Sequence, residues 1–154
     1  MNRELTELQL TCFNLGDCLF AVDIMRIKEI VLPQKLHGLP RASQLLEGVI
    51  NLRGAVIPVM DLRKRFDMPP LENGKSGKLL IVSFHRQMVA LVVDDVMEVI
   101  TVSARGIKPA PDVVEGVGSE YLLGVCLSGD RVFLLLDIDT LLGPAHYQEI
   151  ARIA

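Results

Sequence analysis

A chain of 154 residues can bury one substantial core and gives no reason to expect several domains. Half of it is hydrophobic and 23% is charged, which argues against disorder. A formal charge of −3 is too mild to point to nucleic acid or an anionic membrane. Arg3, Glu4 and Glu7 fall where a signal peptide needs its apolar stretch, and no uncharged apolar run nears the roughly 20 residues that span a bilayer. A soluble, cytoplasmic protein with no membrane insertion is expected.

In chain order, "LQLTCFNLGDCLFAVDIMRIKEIV" (Leu8–Val31) reads as a hairpin turning at Gly16-Asp17, then a short helical turn and another extended piece. A two-residue turn there sets Cys12 opposite Ala21, so a Cys12–Cys18 disulfide is not expected. Cys12, Cys18 and Cys126 form no CxxC pair and read as reduced, buried thiols. Next comes "GVINLRGAVIPVMDL" (Gly48–Leu62), a second apolar hairpin that carries a guanidinium, Arg53, at its tip. Gly54 beside it suits a turn with φ > 0, and Asn51 can satisfy turn backbone groups. Pro58 lacks a ladder donor and suggests an edge or bulge. Asp61 is placed to cap a helical turn over Arg63–Arg65.

"RKRFDMPPLENGKSG" reads as a connector, with Pro69-Pro70 and Gly74. Its Gly74-Lys75-Ser76 resembles the end of a phosphate-binding loop, but the glycine that motif needs at position 69 is Pro69 and no helix pattern follows. "GKLLIVSFHRQMVALVVDDVMEVI" (Gly77–Ile100) is another hairpin with an extended continuation, and "TVSARGIKPAPDVVEGVGSEY" is loop-like. "GVCLSGDRVFLLLDI" (Gly124–Ile138) is the last hairpin. The tail after Gly143-Pro144 can form a short helix whose Ile150 and Ile153 pack on one face.

These pieces repeat. Leu8–Val31 aligns without gaps to Gly77–Ile100 at an offset of 69, matching Leu10 with Leu79, Ala21 with Ala90 and Glu29 with Glu98. Gly48–Leu62 aligns to Gly124–Ile138 at an offset of 76, matching Val56 with Val132 and Asp61 with Asp137. Two related β lobes are therefore expected, roughly 8–66 and 78–142, with 67–77 as connector, 143–154 as tail and one shared core; whether strands near the chain ends cross between lobes is left open by the sequence. The second lobe has Leu127, Gly129, Asp130 and Leu134 where the first has Asn51, Arg53, Gly54 and Pro58. Since the scaffold position persists without a guanidinium, Arg53 becomes a functional candidate. Glu29, recurring as Glu98, is at least as well explained by structure.

Other classes have little support. A small barrel that binds nucleic acid needs a basic face with exposed aromatics, and this chain has no Trp, two Tyr and five Phe. His37, His85 and His146 are scattered, no GxSxG elbow appears, and no His/Cys spacing suits a metal. Neither catalysis nor a cofactor is expected.

"LLEGVINLRGAVIPVMDLRKRF" strongly resembles the signature of the CheW family of chemotaxis coupling proteins. "LGDCLFAVDIMRIKEI", "VVDDVMEVI", "GIKPAP" and "SEYLLGVCLSGDRVFLLLDIDTLL" resemble it in family order, covering Leu8 to Leu142. The resemblance implies an all-β fold of two SH3-like five-stranded β-barrels on a common core, and an adaptor without enzymatic activity. It implies a cytoplasmic place in receptor arrays. The implied partners are the cytoplasmic tips of methyl-accepting chemoreceptors and the regulatory domain of a CheA-type histidine kinase, with other CheW-like domains as ring neighbours. Carried over by position, the receptor side includes Ile27, Glu29, His37, Gly48, Asn51, Arg53 and Val56. The kinase side includes Gly54, Pro58, Lys108 and Val113, the last standing where the family often has an aromatic.

Overall fold

The computed structural model of the protein describes residues 7–38, 46–72, 76–110, 113–114 and 117–143. Its strands are β1 (Glu7–Leu15), β2 (Cys18–Asp23), β3 (Ile27–Val31), β4 (Gly48–Leu52), β5 (Ala55–Asp61), β6 (Lys78–Phe84), β7 (Gln87–Val93), β8 (Asp95–Ser103), β9 (Val113–Val114), β10 (Val117–Gly118), β11 (Leu122–Ser128) and β12 (Arg131–Leu136). One helical turn, α1 (Leu62–Arg65), follows β5, and another covers 138–143.

Four hairpins supply most of the strands, and each closes on two residues, as the pairs Leu15↔Cys18, Leu52↔Ala55, Phe84↔Gln87 and Ser128↔Arg131 show. The turns keep the repeat offsets of the sequence. Positive φ at Gly16, at Arg53 and Gly54, at His85 and Arg86, and at Gly129 matches the right-handed twist that such tight turns require. Cys12 lies opposite Ala21, and no disulfide joins the three cysteines, of which Cys12 and Cys126 are buried and Cys18 is half-buried.

The fold is all-β. Sheet I has the order β11-β12-β2-β1-β8 and sheet II the order β3-β6-β7-β5-β4; β9 and β10 form a separate ladder. The two orders are the same once β4, β5, β7, β6 and β3 are matched by the repeat to β11, β12, β2, β1 and β8. Neither sheet closes into a barrel, because no ladder joins its first and last strands among the described residues. Each expected SH3-like five-stranded lobe is thus an open sheet rather than a closed barrel.

The assignment of strands to lobes also changes. Sheet II is built wholly from β3 to β7, whereas sheet I takes the N-terminal hairpin and β8, β11 and β12. One unit is thus nested inside the other, rather than one following the other as 8–66 and 78–142. The stretch 67–77 joins α1 to β6 within sheet II and does not separate lobes. The first crossing comes at the end of β2, where Asp23 caps the 3-10 turn Ile24–Arg26 by accepting from the Met25 amide. That turn carries the chain out of sheet I, and the parallel ladders β5–β7 and β12–β2 then fix each hairpin in the sheet of the other copy.

Alternation explains why the central strands read as unbroken apolar runs. On β6, Leu80, Val82 and Phe84 face a core shared by both sheets, while Leu79 and Ile81 face one private to sheet II. On β12, Leu134 and Leu136 face the shared core and Phe133 and Leu135 the private core of sheet I. A strand covered on both sides has no polar face to display. Phe13, Phe20 and Phe66 stack in series at centroid distances of 5.4 and 5.7 Å, joining the N-terminal hairpin to the residue after α1. Asp61 caps α1 through the Arg63 amide, and Asp137 accepts from the Asp139 and Thr140 amides at the start of the 138–143 turn.

Candidate partner-binding surface

The β4–β5 hairpin ends in Asn51-Leu52-Arg53-Gly54. Asn51 Oδ1 accepts from the Gly54 amide at 2.9 Å, so this side chain is occupied in building the turn. Arg53, with φ of 52°, and Gly54, with φ of 90°, both take the left-handed conformation of a type I′ turn. Arg53 projects from the tip with 69% of its side chain exposed and donates from Nη2 to Glu29 on β3. That hydrogen bond, with the charge of the guanidinium, holds the Glu29 carboxyl below its ordinary range, and Glu29 raises Arg53 in turn.

The pair spans the open seam of sheet II, because β3 and β4 are its two edges. Sheet I has a matching device: Arg131, beginning β12, donates to Glu98 on the edge strand β8 and lowers its carboxyl. Glu98 is the repeat partner of Glu29, but Arg131 occupies the site equivalent to Ala55. The lock recurs with its cation two residues displaced. Arg131 sits beside the turn and Arg53 at its apex, and the first-copy arginine is the more exposed of the two, 69% against 39% of the side chain.

Val56, half exposed, lies beside Arg53 and opposite Asn51. Ile27, half-buried, begins β3 at the same end of the sheet and packs against the shared core. Ile27, Glu29, Asn51, Arg53 and Val56 are thus gathered into one region.

His37 and Gly48 stand apart, toward the other end of β4. The His37 amide donates to the Val49 carbonyl and the Val49 amide donates to the His37 carbonyl, both at 2.8 Å. A Cβ on Gly48 would sit 2.3 Å from the His37 carbonyl oxygen. Lys108 and Val125 repeat this bridge in sheet I, and a Cβ on Gly124 would lie 2.5 Å from the Lys108 carbonyl oxygen. The backbone therefore dictates glycine at both places.

The kinase-side set is not one patch. Gly54 is at the sheet II tip, Lys108 lies at the edge of sheet I through its bridge to Val125, and Val113 falls in β9. The edge assignment for Pro58 is corrected: it is buried on β5, an interior strand between β4 and β7. Proline is tolerated because its partner Val49 turns its own backbone groups to His37, and the parallel ladder with β7 begins one residue later, at Val59.

Sequence reasoning also missed a junction at Arg63. This half-buried guanidinium donates to both carboxylate oxygens of Asp94 at 2.7 and 2.6 Å and to the Pro69 carbonyl at 2.6 Å, while Asp94 accepts from the Gly16 amide. It ties α1, the connector, the β7–β8 corner and the N-terminal hairpin together. Only the buried geometry separates Arg63 from the basic run containing it. Among the described residues no group of three or more His, Cys, Asp or Glu is placed to hold a metal, and no helix is long and apolar enough to cross a membrane.

A two-sheet β domain with an exposed arginine hairpin presents a surface suited to contact with another protein. The CheW-like domain profile matches residues 9–145. The chemotaxis protein CheW of Treponema pallidum is 34% identical over 96% of this chain and 89% of its own. Protein FrzA of Myxococcus xanthus is 28% identical over 95% of this chain and 92% of its own. The crystal structure of the scaffolding protein TtCheW from Thermoanaerobacter tengcongensis superposes with a TM-score of 0.81 at 29% identity, covering 90% of this chain and 94% of that one. This chain belongs to the CheW family of chemotaxis scaffold proteins.

Proposed function

We propose that this protein couples the cytoplasmic tips of methyl-accepting chemoreceptors to the regulatory domain of a CheA-type histidine kinase, without catalysis of its own. It works in the cytoplasm, at arrays on the inner face of the membrane, where other CheW-like domains complete the rings. The observation that carries the reading is the Arg53 hairpin. A guanidinium held at a rigid two-residue tip offers a planar fork for carboxylate or carbonyl oxygens of a helical partner, with Glu29 fixing its approach. Ile27 and Val56 supply the apolar surround. Lys108 and the neighbourhood of Val113 are assigned to the kinase, whereas Gly54 shares the turn of Arg53 and goes with the receptor side. Two modest contacts on separate faces suit a bivalent adaptor, since an array supplies a high effective concentration for the second once the first forms.

The test is a calorimetric titration of the whole protein against the regulatory domain of its own organism's CheA-type kinase. Saturable one-to-one binding supports the reading. Absence of binding to every such kinase of that organism overturns it.

A further inference from the structure

The β6–β7 hairpin closes on His85 and Arg86, with φ of 50° and 66°. Two consecutive side chains other than glycine in the left-handed region are strained. The repeat shows that the strain is not needed to build the hairpin. The equivalent β1–β2 turn is Gly16-Asp17, where glycine takes the positive φ. The second copy keeps a less favourable turn with two basic side chains.

Their position gives the turn a use. Among the described residues, Arg53, Asp67, His85 and Arg86 are the non-glycine residues with positive φ. Three of these four are basic and lie at one end of sheet II. Strand β5 runs parallel to β7 with Val59 level with Ala90, so the same register followed back sets Gly54 level with His85. The two hairpins are neighbours in the order β6-β7-β5-β4, and their midlines stand about 10 Å apart at ordinary strand spacing. Both tips are exposed, and the His85 ring is set edge-on against buried Phe84 at 4.5 Å. Arg26 lies at this end too, donating to the Ser83 carbonyl and to Asp139. Among the described residues Arg26, Arg53, Arg63 and Arg131 each hold a carboxylate and Arg65 lies on Tyr121, whereas the side chains of Arg86 and, in sheet I, Arg105 have no ion-pair or hydrogen-bond partner.

We infer that the His85-Arg86 turn is a second grip on the receptor tip, working beside Arg53 on carboxylates of one helical surface. Two basic turns whose midlines stand about 10 Å apart match acidic side chains roughly two helical turns apart, given a pitch of about 5.4 Å. This inference rests on the receptor reading of the Arg53 hairpin. Exposed charges of this kind act through encounter and register, so their effect fades as salt rises.

The experiment replaces the turn with the pair that type I′ geometry favours, His85→Asn with Arg86→Gly, in the full chain. Binding is measured to a soluble cytoplasmic fragment of a chemoreceptor from the same organism, at about 50 and 300 mM salt, and to the kinase regulatory domain. Relief of strain raises Tm by about 3 °C, so any lost binding is not unfolding. Affinity for the receptor fragment falls about fivefold or more at low salt, the loss shrinks at high salt, and kinase affinity is unchanged. Unchanged receptor affinity in this variant, while Arg53→Glu weakens it, overturns the second grip and leaves the receptor reading standing. No receptor binding by the wild type, or none lost in Arg53→Glu, overturns both.

Discussion

Arg53 and Glu29 form a bond that is exposed enough to open and placed where a partner would compete for the guanidinium. The carboxyl of Glu29 is held down first by its hydrogen bond from Arg53, so the pair helps folding above the ordinary carboxylate pKa of about 4.3 and loses that help as pH falls through the lower folded-state value. Arg53→Ala is expected to move the Glu29 titration midpoint upward, read by carboxyl-carbon NMR, with little change in melting. A midpoint that stays where it was would mean the pair does not persist in solution. The twin glycines make an opposite case. Gly48→Ala and Gly124→Ala each push a Cβ into a carbonyl oxygen across the bridge, and each should cost about 2 kcal/mol or more in denaturant unfolding. Equal losses at the two sites would show that Gly48 serves the backbone in the same way as its twin.

At the scale of elements, the Gly16-Asp17 and Arg53-Gly54 turns, the cap at Asp61 and the Cys12–Ala21 register of the first hairpin were legible because each rests on a few neighbouring residues. Strand partners were not. "KLLIVSF" and "QMVALVV" are apolar on both faces, so the pattern that normally tells core from surface is silent about which core each face meets. The parallel ladders joining β2 to β12 and β5 to β7 link residues far apart in sequence, and no local signal announces them. The seam pair in sheet I stayed hidden because its arginine is displaced from the repeat position. The nested order has a direct consequence. Removing residues 1–23 takes β1 and β2 from the middle of sheet I and should abolish the folded far-ultraviolet spectrum. A retained strand signal would mean that sheet II, which the deletion leaves whole, stands without the shared core.

For the whole molecule, the shared core makes the two sheets one cooperative unit. Phe20 belongs to sheet I and Phe66 follows α1 beside sheet II, and both stack in the same aromatic series. Truncating either to alanine should cost about 3–5 kcal/mol, and unfolding should remain a single transition by near- and far-ultraviolet dichroism. Two separated transitions would mean that the sheets hold together independently. This rigidity suits a coupler, whose partners are read through their relative placement. The repeat, the β class and the Arg53 hairpin were visible in the sequence, whereas the exchange of hairpins, the open seams and the burial of Pro58 needed the three-dimensional pairing.

The most direct measurement is the mass of the complex formed when this protein is mixed with the receptor fragment and the kinase regulatory domain together, by sedimentation velocity. A coupler with separate faces gives a ternary species, and Arg53→Glu removes the receptor fragment while the kinase domain stays bound. Mutual exclusion of the two partners, or a ternary complex indifferent to Arg53→Glu, would contradict the account.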